Sequence, residues 1–391
     1  MKKAVLFVLG TRPEAIKLAP VIRALKKQLQ TNAEVRVCNT GQHRELLPPV
    51  LELFRIRPDY NLDIMRESQS PARSLARATQ ALDQVLTEDR PDHVIVQGDT
   101  NSTLAGALAA FYNRIPVSHV EAGLRTGSLE APFPEEGNRQ IISRLAGLHF
   151  APTEQNRQSL IGEGIGDQTI HVTGNPVIDS LKHLEQRWRR YPAVRLEMER
   201  DLQQRLGQPP DQPFILVTGH RRENMGHGFR NLAQALNRIA MKYPAIPILL
   251  PWHPNPRVRA DLKEELEMWP NIRLCSPLPY MDFVYTLSCA AIVLTDSGGV
   301  QEEAPAFAKP VLVLRETTER QEAVQAGTVK LVGTQPERIL VEVTKLLEQP
   351  AYYRSMAKAA NPYGDGNAAP RIAQIVQSSL MPVHDEAALA G

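Results

Sequence analysis

The chain has 391 residues, 42% of them apolar and 23% charged, with a net charge of +2. That length exceeds one ordinary core, so two domains are expected, and the charge balance gives no strong pull toward nucleic acid or another polyanion. Three cysteines, Cys38, Cys275 and Cys289, sit in apolar runs without CxxC spacing and read as core thiols of a reducing compartment.

The opening "MKKAVLFVLGTRPE" has two lysines and an apolar run. The run is short and meets Arg-Pro-Glu with no small-residue cleavage site, so it reads as a first buried strand rather than a leader. "EVRVCNT", "DHVIVQGD", "PVSHVEA", "HFAPT" and "TIHVTGNPVID" follow as strands. "PEAIKLAPVIRALKKQ", "SPARSLARATQALDQVLTE" and "NSTLAGALAAFYN" are helices between them. This is the βαβ rhythm of a parallel sheet. A charged helical stretch and a Pro-rich linker then interrupt it near residues 180–210. A second series follows: "FILVTGH", "IPILLPWH", "NIRLCSP", "AAIVLTD", "PVLVLRE" and "TVKLVG". The expected fold is α/β, two consecutive doubly wound units, with a loose tail at "MPVHDEAALAG". No stretch approaches the ~20 apolar residues of a membrane span. The expectation is a cytoplasmic protein that engages neither membrane nor nucleic acid.

In open parallel sheets, ligands sit beyond the carboxyl ends of strands. Polar clusters directly follow the apolar runs in both halves, at Thr11–Glu14, Gly41–Arg44, Gly98–Thr100, Glu121–Gly123, Gly219–Arg222, His253–Asn255 and Asp296–Gly299. Two motifs mislead. "GEGIGD" follows a helix and precedes a strand, the reverse of a pyrophosphate loop, and reads as a helix stop. The histidines lack HExxH spacing; metal ligation by His43, His220 or His253 is the alternative without a supporting pattern, and no metal site is expected.

Four constellations carry chemistry. In "GTRPEAIKLAP", Arg12 stands at a helix entrance with Lys17 further in, the makings of an anion site; alternatively Arg12 pairs with Glu14 on the surface. In "TDSGGVQEEAP", Ser297, Gly298 and Gly299 let backbone N–H groups approach a phosphate as a helix begins at Val300. An acid behind such a turn suits a ribose diol, with Glu303 favoured over Glu302. In "TGHRREN", His220, Arg221 and Arg222 put three potential cations in a row, which suits a diphosphate. Asp99, Glu121, Glu135 and Glu136 are carboxylates near that anion site, where they make sense as acid/base groups. Helix capping is the alternative for at least one of Glu135 and Glu136. The ligand expected from these pieces is a nucleoside diphosphate.

These stretches, with "QHRE", "HVEAGLRTG", "PEEGNR", "KPVLVLRETTERQEAV" and "NPYGDG", run in order along nearly the whole chain. In combination they resemble the non-hydrolysing bacterial UDP-N-acetylglucosamine 2-epimerases. The resemblance implies a glycosyltransferase-B-like fold of two Rossmann-like domains facing across a cleft. Residues 1–180 would carry the catalytic carboxylates, 181–365 would bind UDP, and 366–391 would form a C-terminal helix and loose tail. It implies a homodimer that interconverts UDP-GlcNAc and UDP-ManNAc with no cofactor, nicotinamide or metal. UDP would leave to give a 2-acetamidoglucal and then add back, in a route that feeds surface polysaccharides. By motif position, Asp99, Glu121 and Glu135 take the catalytic carboxylate places, with His220 beside the leaving diphosphate. Arg12, Lys17, His220, Phe283, Ser297, Gly298, Gly299, Glu303 and Arg320 take UDP-contact places. Gln42, His43, Gln69, Arg221 and His253 match a second, allosteric site for the same UDP-sugar. This chain departs from the pattern there, with Ser68 in place of Arg and "TGQHR" in place of "TAQHR". Leu278 replaces a Gln near the uracil.

Overall fold

A computed structural model describes residues 2–30, 32–66, 69–219, 227–251, 266, 268–358 and 360–380. The chain divides into two compact units, Met1–Ser180 with Tyr363–Gly391, and Leu181–Pro362.

The first unit is laid down as β1 (Lys3–Leu9), α1 (Arg12–Leu29), β2 (Ala33–Asn39), α2 (Pro48–Leu53), β3 (Tyr60–Asn61), α3 (Pro71–Asp89), β4 (His93–Gln97), α4 (Asn101–Tyr112), β5 (Val117–Val120), α5 (Glu135–Leu145), β6 (Leu148–Ala151), α6 (Glu154–Gly162), β7 (Ile170–Val172) and the first residues of α7 (Pro176–Arg190), whose remainder belongs to the second. Its strands are all parallel, in the order β3-β2-β1-β4-β5-β6-β7. Chain direction across the sheet reverses between β1 and β4, so their carboxyl ends flank a switch point. Buried apolar runs explain the strands: β1 is covered along Ala4–Leu9 and β4 throughout. Helix α4 is rich in Ala and Gly because it lies hard on this sheet. A Cβ on Gly106 would stand 3.0 Å from Val96 Cγ1 and 3.2 Å from Val8 Cβ. Leu6, Val8, Val94, Val96, Leu104 and Ala105 form part of the core beneath the switch point. The "GEGIGD" stretch is a helix stop, with α6 ending at Gly162 and Gly164 left-handed at φ 81°.

The second unit follows as α8 (Pro192–Leu206), β8 (Ile215–Thr218), α9 (His227–Lys242), β9 (Ile248–Pro251), β10 (Ile272–Cys275), α10 (Tyr280–Cys289), β11 (Ile292–Thr295), α11 (Gly298–Glu303), β12 (Val311–Val313), α12 (Gln321–Gln325), β13 (Val329–Leu331), α13 (Pro336–Glu348) and α14 (Pro350–Ala357). Its parallel strands take the order β10-β9-β8-β11-β12-β13, with a switch point between β8 and β11. Ile215, Val217, Leu236, Ile239, Ile292 and Leu294 are among its core residues.

The chain then returns to the first unit. Helix α15 (Ala368–Leu380) packs on α1, and the Asp179 carboxylate accepts the Ala368 and Ala369 N–H groups at its start, at 3.2 and 3.0 Å. Cys38 is buried as a core thiol, whereas Cys275 and Cys289 are only half-buried. Among the described residues, no helix is long and apolar enough to cross a membrane.

Candidate active site

In the first unit, the turns after β1, β4 and β5 converge on a set of charged side chains. Glu121 follows β5 in the left-handed region, at φ 67°, a conformation that non-glycine residues hold only when their surroundings fix it. Its surroundings do. The Lys17 ammonium from α1 pairs with Oε1, and the Gln97 amide at the end of β4 donates to Oε2. Lys17 and Glu121 are 6% and 4% exposed. Lys17 therefore points at a carboxylate of its own unit.

Gly98 turns away from β4 at φ 77°. A Cβ built there would lie 3.8 Å from Glu121 Oε2, so the carboxylate borders the turn that presents Asp99. Asp99 receives the Arg139 guanidinium on Oδ2 at 2.5 Å, and its carbonyl accepts from the Asn138 amide at 2.9 Å. Arg139 also reaches Glu136 Oε2 at 3.2 Å. Glu136 is fully buried and accepts the backbone N–H groups of Thr126 and Gly127. It is thus the structural member of the Glu135–Glu136 pair. Glu135 is half-buried at the start of α5.

Behind this turn, His119 Nε2 donates to the Gly98 carbonyl at 2.7 Å. Burial pushes the His119 imidazole down to about 3, so it is neutral with its proton fixed on Nε2.

The surface pairing of Arg12 with Glu14 does not occur, because Glu14 is 1% exposed and turned inward. Its Oε2 accepts the N–H groups of Gly10 and Thr11, each at 2.7 Å. Its Oε1 accepts the hydroxyls of Thr103 at 2.7 Å and Thr100 at 2.5 Å. Arg12 begins α1, with its backbone N–H on His43 Nδ1 at 3.3 Å. Burial, then the Arg12 charge, lowers the proton affinity of His43. The Gln42 side-chain amide oxygen, Oε1, accepts the Ser102 N–H and hydroxyl at 3.1 and 2.7 Å. Gln42 and His43 are thereby tied to the starts of α4 and α1. The Gln69 side chain is engaged with Met65 and Arg77.

In the second unit, helix α11 begins at Gly298, two residues earlier than Val300, with Ser297 as its extended N-cap. The Ser297 N–H is held by Thr295 Oγ1 at 3.0 Å. Gly298 faces the Arg320 guanidinium: a Cβ there would sit 2.6 Å from Nη1 and 2.7 Å from Cζ. Gly299 opens onto space, with the nearest atom, Ser297 Oγ, at 4.0 Å. Arg320 is itself oriented by Glu302, at 2.8 Å from Nε, and by Glu319. Glu302 is therefore engaged in orienting the arginine, while Glu303 accepts the Tyr280 hydroxyl at 2.8 Å. Phe283 lies one turn along α10 from Tyr280 and is buried. His220, Arg221, His253 and Ser68 lie outside the described residues.

Some participants carry no motif that singles them out. Gln97 ends an apolar strand, and Arg139, Glu319 and Tyr280 act across turns. Glu14 did carry a signal, the T-x-x-E spacing of a capping box in "TRPE".

A profile of the UDP-N-acetylglucosamine 2-epimerase family matches residues 24–377. The UDP-N-acetylglucosamine 2-epimerase of Escherichia coli is 49% identical over 378 residues, which is 96% of this chain and 98% of the relative. Among solved structures, the UDP-GlcNAc 2-epimerase from Neisseria meningitidis bound to UDP-GlcNAc aligns with a TM-score of 0.91 at 46% identity, covering 97% of this chain and 100% of that one. The Methanocaldococcus jannaschii UDP-GlcNAc 2-epimerase in complex with UDP-GlcNAc and UDP aligns with a TM-score of 0.83 at 33% identity, covering 96% and 99%.

Proposed function

The chain belongs to the UDP-N-acetylglucosamine 2-epimerase family, and on that footing we propose that it interconverts UDP-GlcNAc and UDP-ManNAc. The observation that carries the chemistry is the pair of carboxylates flanking Gly98. Glu121 is held by Lys17 and Gln97, and Asp99 by Arg139.

The C2 proton of the sugar has no adjacent carbonyl, so direct abstraction is very hard. Heterolysis of the C1–O bond sends its electron pair out with UDP and leaves positive charge at C1 and the ring oxygen. That charge acidifies C2–H. A carboxylate takes the proton, and the C–H pair becomes the double bond of 2-acetamidoglucal. Protonation of C2 from the opposite face and return of UDP to C1 give the epimer. The route balances without a hydride acceptor or a metal. Asp99, Glu121 and Glu135 are the proposed proton-handling groups. Positioned acid/base groups of this kind contribute about 10²–10⁴-fold.

UDP is assigned to the second unit. The Ser297–Gly299 turn and Arg320 would take the phosphates, with His220; Glu303 would take the ribose and Phe283 would lie near the uracil. Arg12, at the start of α1, is a further proposed UDP contact. The engagement of Lys17 with Glu121 supports a positioning role for it rather than direct UDP contact. A homodimer and a second UDP-sugar site at Gln42, His43, Gln69, Arg221 and His253 belong to the same proposal.

Proton NMR of the protein with UDP-GlcNAc in deuterated water tests it. A UDP-ManNAc anomeric signal with deuterium at C2 is expected. Free ManNAc with UDP would replace it by hydrolysis, and an unchanged spectrum with demonstrated UDP binding would overturn the reaction.

A further inference from the structure

We propose that Glu14 is a positioning residue for this reaction, a four-donor clamp that fixes the Arg12 turn against the Asp99 turn. The inference rests on the roles assigned above to Arg12 and Asp99.

The two turns leave neighbouring strands, β1 and β4, at the switch point of the first unit. One carboxylate serves both. Oε2 takes two successive N–H groups, Gly10 and Thr11, immediately before Arg12, and Oε1 takes the hydroxyls of Thr100, next to Asp99, and of Thr103, in the first turn of α4. Burial raises the Glu14 carboxyl above its ordinary range, and the hydrogen bonds from Thr100, Gly10, Thr103 and Thr11 pull it back by favouring the ionised acceptor. The side chain is buried, so these bonds compete with no solvent. The single proton of the Thr103 hydroxyl goes either to Glu14 or, at 2.7 Å, to the Gln97 carbonyl, which couples the clamp to the residue that holds Glu121. Gly10 closes the same corner. A Cβ there would lie 1.9 Å from Thr40 Oγ1 and 2.3 Å from Ser102 Oγ, so no side chain fits at this corner. A group that only capped α1 would need the Gly10 and Thr11 bonds alone. The two threonine bonds to the next strand's turn are what make Glu14 a link.

The test is a double-mutant cycle in the full chain, with kcat and KM for UDP-GlcNAc and the melting temperature measured for each protein. Glu14→Gln keeps the size but presents an amide N–H to donors. It is expected to lower kcat about 10-fold or more with KM changed by less than about 3-fold. Thr103→Val, which keeps the shape and removes one donor, should lower kcat in the same direction by a smaller factor. In an Asp99→Asn background, Glu14→Gln should cost less than about 2-fold further, because there is no Asp99 carboxylate left to position. A purely structural role would instead give the same loss in both backgrounds and overturn the clamp. So would wild-type kcat in folded Glu14→Gln and Thr103→Val. If Glu14→Gln fails to fold, Thr103→Val in the two backgrounds decides by the same criterion. Wild-type turnover by Asp99→Asn alone would sink the catalytic assignment on which the clamp rests, an outcome distinct from the others.

Discussion

The Lys17 ammonium of α1 lies on the carboxylate of Glu121 at the end of β5, and both side chains are almost completely buried. Ion pairs of this kind gain little over an apolar pair but are costly to break, because the survivor is left as an uncompensated buried charge. Lys17→Met should therefore destabilise the first unit by about 3–5 kcal/mol and abolish epimerisation. The double replacement Lys17→Met with Glu121→Met should recover most of the stability and none of the activity. Urea unfolding and turnover of the three proteins check this. A single variant as stable as the parent would show that the pair contributes nothing.

Asp99→Asn and Glu121→Gln separate chemistry from binding. Each should lower kcat by about 10²-fold or more and suppress deuterium incorporation at C2, while UDP affinity by calorimetry stays within about 2-fold. Equal loss of turnover and UDP affinity would show that these carboxylates support the binding site rather than the proton transfers.

The two glycines after β11 differ in surroundings, so they should differ in response. A methyl at Gly298 would strike the Arg320 guanidinium at 2.6–2.7 Å. Gly298→Ala should lower both the melting temperature and the UDP affinity. At Gly299 nothing stands closer than 4.0 Å. Gly299→Ala should leave the melting temperature within about 2 °C and still weaken UDP binding roughly 10-fold, if phosphate approaches that backbone. Undiminished UDP affinity in Gly299→Ala would remove the turn from the nucleotide site.

Three histidines of the first sheet set an acid limit. Burial holds His93 and His149 down to about 4 and His119 to about 3. Each is neutral in the fold and titrates near 6.5 when unfolded, so protons prefer the unfolded chain between those values. The stabilisation is complete above about pH 6.5 and is lost as pH falls toward 4, at on the order of 1 kcal/mol per pH unit for each histidine. The urea midpoint should be flat from pH 8 to 7 and fall steadily below 6.5. His93→Gln, which can keep the bond to Ser118, should flatten the slope. A midpoint unchanged down to pH 5 would contradict the burial argument.

Much of this was legible before any coordinates. The apolar runs identified the parallel strands because a strand covered on both faces must be apolar along its middle, as "AVLFVL" and the "VIV" of β4 are. Polar residues directly after those runs marked Arg12, Asp99 and Ser297. The helix starts at Gly298 rather than Val300 because the two glycines, which read as loop, are helical, and Gly298 lets Arg320 approach.

Local order, by contrast, cannot say which partner a charged side chain finds. Lys17 and Glu121 are 104 positions apart, and Glu14 and Thr103 are 89 apart. They meet because the switch point sets β1 beside β4, and β4 beside β5. The sequence by itself determined the α/β class, the strand ends at which polar residues gather, and the family. Tertiary structure alone decided which of those residues face one another. Hydrophobic periodicity is a property of neighbours along the chain, while a buried charge is satisfied by whatever the folded sheet brings within hydrogen-bonding reach.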